Sequence, residues 1–304
     1  MKKLWLFVTL LFLLISFQTG YAADLEVHFI NVGQGDSIFI KTPDDKTILI
    51  DASKHYTTQD KYNPFLYLKS LNIDHLDAIF ITHPHDDHYK GLKYLCNKKG
   101  KKDFPDKAIY YSVDLGEEYG QFQNCFEEII NESEDFGQVS ARGPPLKFGE
   151  VIFTVLYPEE PIAEPNSNKN LDSIIMRMTY KNVSFMFTGD TEKKIEKTLT
   201  GDLKSTVLKV AHHGAQTATD INFLKAVNPE YAVISCDDKD YGNTYGHPHK
   251  PTLDNLKAQK VKLYRTDLHG TIVMKSDGDK ISVTTEKEIL QESPKLWKAG
   301  KKPK

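Results

Sequence analysis

The fold class this sequence predicts is α/β, with two sheets covered by helices on their outer faces. Short strand-like runs dominate the first part of the chain, and after residue 190 helical and strand-like runs alternate, a pattern that suits sheets flanked by helices. No self-similarity at a period of roughly 20–50 residues marks a solenoid or propeller. The length of 304 residues is within reach of a single large domain around one core.

Residues 25–31, 36–41 and 46–51 read as three strands, joined by the turn formers Gly33-Gln34-Gly35 and Pro43-Asp44-Asp45. A helix is expected over 64–71. The run Leu76-Asp77-Ala78-Ile79-Phe80-Ile81 is a buried strand ending at Thr82, and a helix follows over 91–97. A strand over 108–113 and a helix with apolar spacing over 117–130 come next. Beyond Pro144-Pro145, strands are expected at 151–156, 173–180 and 183–188, with a long polar loop at 158–170; long loops in compact domains are often functional. Three helix-then-strand units complete the alternation: 192–199 with 207–211, 220–226 with 231–235, and 252–259 with 261–264. Strands at 270–275 and 280–284 close the fold, and the last twenty residues are expected to be loose.

The N-terminus combines Lys2-Lys3, an apolar run from Leu4 to Phe17 and the small-residue segment Gly20-Tyr21-Ala22-Ala23. These are the parts of a cleavable secretory signal peptide. The expectation is therefore a leader at 1–22, a domain at 23–285, a basic tail at 286–304, and a secreted or periplasmic location. The apolar run is short for a membrane span, which needs roughly 20 apolar residues, and no span is expected in the mature chain. Loss of Lys2 and Lys3 takes the formal charge from -3 to -5, which argues against a general nucleic-acid binder. Lysines nevertheless cluster at 98, 99, 101 and 102 and again at 295, 298, 301, 302 and 304; such runs are usually solvated surface, with a phosphate-rich partner as the minority alternative. Cys96, Cys125 and Cys236 allow one disulfide and a spare thiol; none has metal-ligand spacing with another, and they are read as structural.

The segment His83-Pro84-His85-Asp86-Asp87-His88 packs three imidazoles and two carboxylates into six positions at the end of a buried strand. Zinc and similar divalent ions take neutral imidazole nitrogen and carboxylate oxygen at about 2.0–2.2 Å, and a loop leaving a rigid strand can aim such groups at one point. The strand 207–211 repeats the design by delivering His212-His213-Gly214. Side chains alternate along a strand, so one of these histidines should face the site and the other brace it or donate protons. His213 is favoured as the ligand and His212 as the catalytic or orienting neighbour, with the reverse order open. Gly189-Asp190 ends another strong strand, and Gly246-His247-Pro248-His249 adds a further pair, of which His249 is read as surface. His28, His55 and His75 are taken as ordinary surface or core residues.

The spacing H-x-H-x-D-H resembles the metallo-β-lactamase superfamily. That resemblance implies the four-layered αββα sandwich of the metallo-β-lactamase fold. It also implies that His83 and His85 bind a first metal, that Asp87 and His88 bind a second with His213, and that Asp190 bridges the two. Asp86 then occupies a free position, behind the ligands or on the surface. His247 becomes a candidate ligand or substrate contact at the rim, and Asp51 the acceptor that holds a ligand histidine by its other ring nitrogen. Many members carry a further histidine between the first motif and the bridging aspartate. No histidine lies between His88 and Asp190, so Asn170 or Asp172 either replaces it or only satisfies the loop backbone.

A narrower resemblance runs from Leu25 to about Thr284. The segment Val32-Gly33-Gln34-Gly35-Asp36, with Thr188-Gly189-Asp190, His212-His213-Gly214, Gly246-His247-Pro248-His249 and Tyr264-Arg265-Thr266-Asp267, is similar to the hydrolase domain of DNA-uptake competence proteins of the ComEC type. The turn at Gly33 and Gly35 would expose backbone N–H groups suited to an anionic oxygen; the alternative is a plain hairpin turn. The expected activity is a metal-dependent phosphodiesterase or nuclease using one or two zinc ions, with manganese also allowed. Asp87 and His212 or His247 would handle protons. Its substrate would be a phosphodiester or other small anion, including single-stranded DNA. The competing readings are an esterase or β-lactamase-type hydrolase, for which Tyr89, Tyr241 and Tyr245 would line the mouth, and a metal-binding relative without turnover.

Overall fold

The computed structural model describes residues 23–54, 62–95, 108–112, 135–237 and 244–300. The leader, Cys96, Cys125, His55, Tyr241, the lysines at 98–102 and 301–304, and the expected helix at 117–130 lie outside the described residues.

In chain order the strands are β1 Leu25–Phe29, β2 Ile38–Lys41, β3 Thr47–Ile50, β4 Ala78–Ile81, β5 Ala108–Tyr111, β6 Asp135–Gln138, β7 Leu146–Phe148 and β8 Val151–Tyr157. They continue as β9 Ile175–Tyr180, β10 Val183–Phe187, β11 Val207–Lys209, β12 Tyr231–Ile234, β13 Lys262–Arg265, β14 Ile272–Ser276 and β15 Ile281–Thr285. Among the described residues they form one sheet in the order β15-β14-β1-β2-β3-β4-β5-β6 and a second in the order β13-β12-β11-β10-β9-β8-β7.

Three apolar clusters define four layers. Between the sheets, Val27, Phe29, Ile48, Ile50 and Phe80 meet Phe153, Met176, Met178, Phe185, Phe187 and Val233. On the outer face of the first sheet, Leu49, Ile79 and Ile81 pack under the helix Pro64–Ser70 and the 3₁₀ turn Lys90–Leu95. On the outer face of the second, Met186, Leu208, Ala232 and Ile234 pack under the helices Ile221–Val227 and Lys250–Ala258. Successive side chains of a strand face opposite ways, so Ile48 and Ile50 point inward while Leu49 points outward. Both faces are covered, which is why β4 reads Ala-Ile-Phe-Ile without a polar break. Phe80, stacked on Phe153 at 5.4 Å, ties the two sheets. The four-layered αββα sandwich expected from the sequence is the fold observed.

Strands β3, β4 and β5 are parallel neighbours, as are β10, β11, β12 and β13. Their carboxyl ends open on the same edge of the sandwich, and the chain leaving them carries Asp51, Thr82-His83, Asp190, His212-His213 and Asp237. Ligand sites in α/β proteins form at such carboxyl ends.

Some expectations are corrected. The helix expected over 192–199 is a single turn, Lys193–Glu196, and that over 91–97 is the 3₁₀ stretch. Strands β6 and β7 carried no recognised signal. The tail expected to be loose is docked over its described part: the turn Pro294–Trp297 buries Leu296 completely. Arg265 Nη1 donates to the carbonyls of Leu296 at 3.0 Å and Lys298 at 2.6 Å, and Gly300 N–H donates to Pro248 O at 2.9 Å. No helix among the described residues is long and apolar enough to cross a membrane.

Candidate metal centre

The loop after β4 enters a short helix, Asp86–Tyr89, whose first residues carry the acidic and imidazole groups of the motif. Its position is fixed from below. Ala52 N–H donates to His88 O at 2.6 Å and Asp36 N–H to Asp87 O at 3.2 Å. Gly35, at φ +141°, passes so close that a Cβ there would lie 2.4 Å from Asp87 O, a conformation and approach open only to glycine. Gly35 therefore supports Asp87 by close packing. Of the two readings of this turn, anion nest or plain hairpin, the bonds of two N–H groups favour the second: Gly33 N–H donates to Asn31 Oδ1 at 3.4 Å and Asp36 N–H to Asp87 O, while of the turn only Gln34 lines the cleft.

Asp51, fully buried at the end of β3, orients two histidines at once. Its Oδ2 accepts from His88 Nδ1 at 2.7 Å and from Thr82 Oγ1 at 2.8 Å, while Oδ1 accepts from Thr82 N–H at 2.8 Å. With its hydroxyl proton committed to Asp51, Thr82 Oγ1 accepts from His83 Nδ1 at 3.1 Å. Both rings thus keep a proton on Nδ1 and turn Nε2 inward, the nitrogen that would hold a cation. His213 reaches the same state through Ser235 O, which accepts from its Nδ1 at 2.9 Å.

These Nε2 atoms converge on Asp190. Its Oδ2 lies 3.3 Å from His88 Nε2, 3.2 Å from His213 Nε2, 4.0 Å from His83 Nε2 and 4.0 Å from His212 Nε2. His213 Nε2 is also 3.4 Å from Asp87 Oδ2, and His85 Nδ1 lies 3.0 Å from His83 Nε2. Asp190 is held by its own N–H, which donates to Ser173 Oγ at 3.0 Å. Among the described residues four donor groups are compact enough for a cation, the donor atoms in each lying within 4.8 Å of one another: His83, His88 and Asp190; Asp87, His88 and His213; Asp36, Asp51 and His88; and Asp36, Asp190 and His213.

The residues present fit a divalent ion. His88 Nε2, His213 Nε2 and Asp190 Oδ1 are buried without a hydrogen-bond partner, a cost that native structures rarely carry without a reason, and imidazole with carboxylate is a zinc-type donor set. The electrostatics agree. Burial would lower the pKa of His88, but the carboxylates of Asp190 and Asp51 overcome it and hold the ring well above its usual value. Burial likewise opposes protonation of His213, which Asp190 and Asp87 nonetheless raise to about 10. Burial would raise the Asp190 pKa, yet His213, His88 and His212 hold it well below the carboxylate range. The carboxylates thus gather positive charge at the point where the imidazole lone pairs meet.

His212 and His213 both approach this point, against the expectation that only one of two adjacent residues can. Val210 is still extended, but His212, His213 and Gly214 have φ of 51°, 53° and 82°. Three consecutive left-handed residues break the two-residue alternation. Such strain in non-glycine residues marks functional sites. His212 is the more peripheral: its Nε2 is 3.5 Å from Asn170 Nδ2 and its Nδ1 is 3.8 Å from Glu192 Oε1.

The two candidates for the missing histidine separate. Asn170 lines the cleft with its Oδ1 buried and unpartnered. Asp172 instead accepts from Asn166 N–H at 3.0 Å and from the Asn166 amide group, so it closes the loop 166–172 and is corrected as a site residue. Asp36 does not face the cleft as a substrate contact. Its Oδ2 pairs with Lys209 Nζ at 2.7 Å, both residues being almost fully buried, and its Oδ1 lies 3.7 Å from His213 Nδ1.

His247 stands at the rim, with rings 5.5 Å from His212 and 6.0 Å from His213. Gln34 Nε2 is 3.4 Å from its Nδ1. Burial, with His213 and His212 beside it, pushes its pKa down to about 3. His249 is not simply surface: its Nδ1 accepts from Gln216 N–H at 3.0 Å and its Nε2 donates to Tyr245 O at 3.1 Å. Tyr89 is buried, Tyr245 is 60% exposed, and Asp86 pairs with Lys90 at 2.6 Å. His28 is an ordinary buried residue, held by Tyr67 and Glu26, while His75 is exposed beside Asp74. The cluster lies at the base of an open cleft of about 990 Å³ whose wall includes Lys54, Lys90 and Lys169.

Sequence reasoning missed Thr82, Ser235 and Lys209. Lysine at the end of an otherwise apolar strand was the one available signal for a buried ion pair. The serine acts through its carbonyl, which no residue pattern records.

The pattern of the metallo-beta-lactamase superfamily matches residues 30–237. The chain is 31% identical over 281 residues to ComE operon protein 3 of Bacillus subtilis (strain 168), covering 87% of this chain and 34% of that protein. It is 29% identical over 246 residues to Competence protein ComA of Neisseria gonorrhoeae, covering 80% and 31%. The chain therefore spans about a third of the length of these curated relatives. The solved metallo-beta-lactamase fold protein YhfI from Bacillus subtilis superposes with a TM-score of 0.51 at 13% identity, over 82% of this chain and 98% of that one. With fold, histidine–aspartate cluster and sequence pattern in agreement, the chain belongs to the metallo-beta-lactamase superfamily.

Proposed function

We propose that this protein is an exported metal-dependent hydrolase that cleaves phosphodiesters, with single-stranded DNA as a natural class of substrate. The observation that carries the reading is the meeting of His83, His88 and His213 Nε2 with Asp87 and Asp190 at the base of a cleft whose wall bears three lysines. His83, His85 and Asp190 would hold one ion, and Asp87, His88, His213 and Asp190 a second. Zinc suits these donors and manganese is compatible with them. Bound there, a divalent cation supplies the Lewis acidity that makes water a nucleophile near neutral pH.

The remaining steps belong to the chain. Asp51 and Ser235 O fix the tautomers that leave Nε2 lone pairs inward. Asp87 remains a carboxylate, since the charges of His88 and His213 overcome its burial and lower its pKa, and it can accept the proton of an attacking water. His247 is neutral at pH 7. With Gln34 donating to Nδ1 its proton sits on Nε2, so it can hydrogen-bond a substrate oxygen but is not an imidazolium acid. Lys54, Lys90 and Lys169 would attract the phosphates. The competence relatives support a nucleic-acid substrate by similarity over the shared third of their length.

A panel of a single-stranded oligonucleotide, bis-p-nitrophenyl phosphate, nitrocefin and a choline ester, each with and without chelator, tests the proposal. Chelator-sensitive cleavage of the first two supports it. Turnover confined to nitrocefin or the ester would refute the phosphodiester reading.

A further inference from the structure

We infer that Tyr245, stacked on His247, is a platform for one unstacked nucleobase at the mouth of the cleft, so that the enzyme takes single-stranded nucleic acid in preference to duplex. The inference rests on the phosphodiesterase reading and adds the part of the substrate that reading leaves undefined. Among the described residues, the exposed large apolar side chains are Leu66, Leu71, Leu290 and Tyr245, and of these only Tyr245 lines the cleft. Its ring lies nearly parallel to that of His247, with centroids 5.5 Å apart and an interplanar angle of 18°. His247 is in turn met edge-on by His249 at 4.8 Å and 82°.

The backbone beneath this stack is tied on several sides. His249 Nε2 donates to Tyr245 O at 3.1 Å, His249 N–H donates to Gly214 O at 2.9 Å, and Gly300 N–H donates to Pro248 O at 2.9 Å. A flat ring held this way loses little freedom when a second flat ring settles on it. The platform also adjoins the reactive centre, since His247 sits beside both His212 and His213.

The charges choose among flat ligands. Outside the donor cluster Asp86 and Lys90 pair with each other, which leaves Lys54 and Lys169 on the cleft wall against Glu192, itself facing His212. A surplus of cations beside an aromatic face suits a base carrying phosphates and works against a quaternary ammonium group. Bases stack on aromatic rings whatever their sequence, but a duplex keeps its bases inside, so the platform is accessible to strand ends, loops and single strands.

The test compares a fluorescein-labelled 12-mer of thymidylate with the same oligomer carrying abasic sites. Binding is read by fluorescence anisotropy in chelator, and KM is read separately with zinc. The wild type should favour the base-bearing oligomer by about 5- to 100-fold. In Tyr245→Ala that ratio should fall to near one, and Tyr245→Trp should restore it. A wild-type ratio near one, a ratio unmoved by Tyr245→Ala, or equal binding of the matching duplex would overturn the platform. If the wild type still cleaves bis-p-nitrophenyl phosphate in that case, the phosphodiesterase reading stands without it. If no phosphodiester is cleaved at all, both fall.

Discussion

Replacing Asp51 by asparagine tests how the chain prepares its histidines. In the native protein Asp51 Oδ2 accepts two hydrogen bonds, at 2.7 Å from His88 Nδ1 and at 2.8 Å from Thr82 Oγ1. The introduced amide can keep its oxygen on the Thr82 N–H, which places an NH₂ group where Oδ2 was. That group has no lone pair to offer. His88 Nδ1–H loses its acceptor, and Thr82, free to turn, can give its hydroxyl proton to His83 Nδ1, moving that ring's own proton onto the Nε2 that should be bare. Two ligands are thus disturbed by an exchange of one oxygen for nitrogen. Removing a partner of this kind lowers metal affinity by about 10- to 100-fold, or about 1.4–2.8 kcal/mol. Folding should suffer less, because burial raises the Asp51 pKa and the variant no longer has to bury that charge. The assay is competition for zinc against a chromogenic chelator, with thermal unfolding of the chelator-treated protein as the control. A folded Asp51→Asn protein with wild-type zinc affinity would refute this account of the site.

Three further outcomes follow from the geometry. The metal-free protein should lose stability as pH rises. The raised pKa of His213 stabilises the fold fully below the unfolded value of about 6.5 and is lost as pH climbs through its folded value of about 10; the melting temperature in chelator should fall across that window, and saturating zinc should abolish the fall, whereas equal slopes would contradict the scheme. Lys209→Met strands the buried Asp36 carboxylate and should cost about 3–5 kcal/mol in urea unfolding, with much of it recovered when Asp36→Leu is added; no recovery would mean the two are not a coupled pair. In Gly35→Ala the new methyl meets Asp87 O, so zinc affinity should drop more than tenfold while the circular dichroism spectrum is retained, and native affinity would show that the Gly35–Asp87 approach is dispensable.

Much of this was legible in the sequence. Strand tips such as Phe80-Ile81-Thr82-His83 announce themselves because an apolar run followed directly by imidazole has few structural explanations, and His83, His85, Asp87, His88, Asp190 and His213, the set implied by the family resemblance, lie close together. The αββα layering was readable because strands covered on both faces, like β4, carry no polar alternation. What stayed hidden depended on backbone direction. The period-two rule excluded a shared face for His212 and His213, and only three successive left-handed residues bring both inward. Asn170 and Asp172 looked equivalent until the loop closed on Asp172. Gly35 reads as a hairpin glycine or an anion nest, whereas its purpose is the close approach of the distant segment at Asp87. The lysines of the tail 286–304 suggested a loose segment, yet Leu296, with Ile289 and Trp297 packed beside it and the buried guanidinium of Arg265 beneath, docks its described part.

The central claim is that strand tips from two sheets assemble a divalent-cation site around Asp190. It is tested most directly by calorimetric titration of chelator-stripped wild type and Asp190→Ala with zinc. The wild type should bind one or two ions tightly and release protons as His88 and His213 give theirs up, and Asp190→Ala should lose the tight phase and most of the proton release. Identical isotherms for the two folded proteins, or no binding by the wild type, would contradict the account.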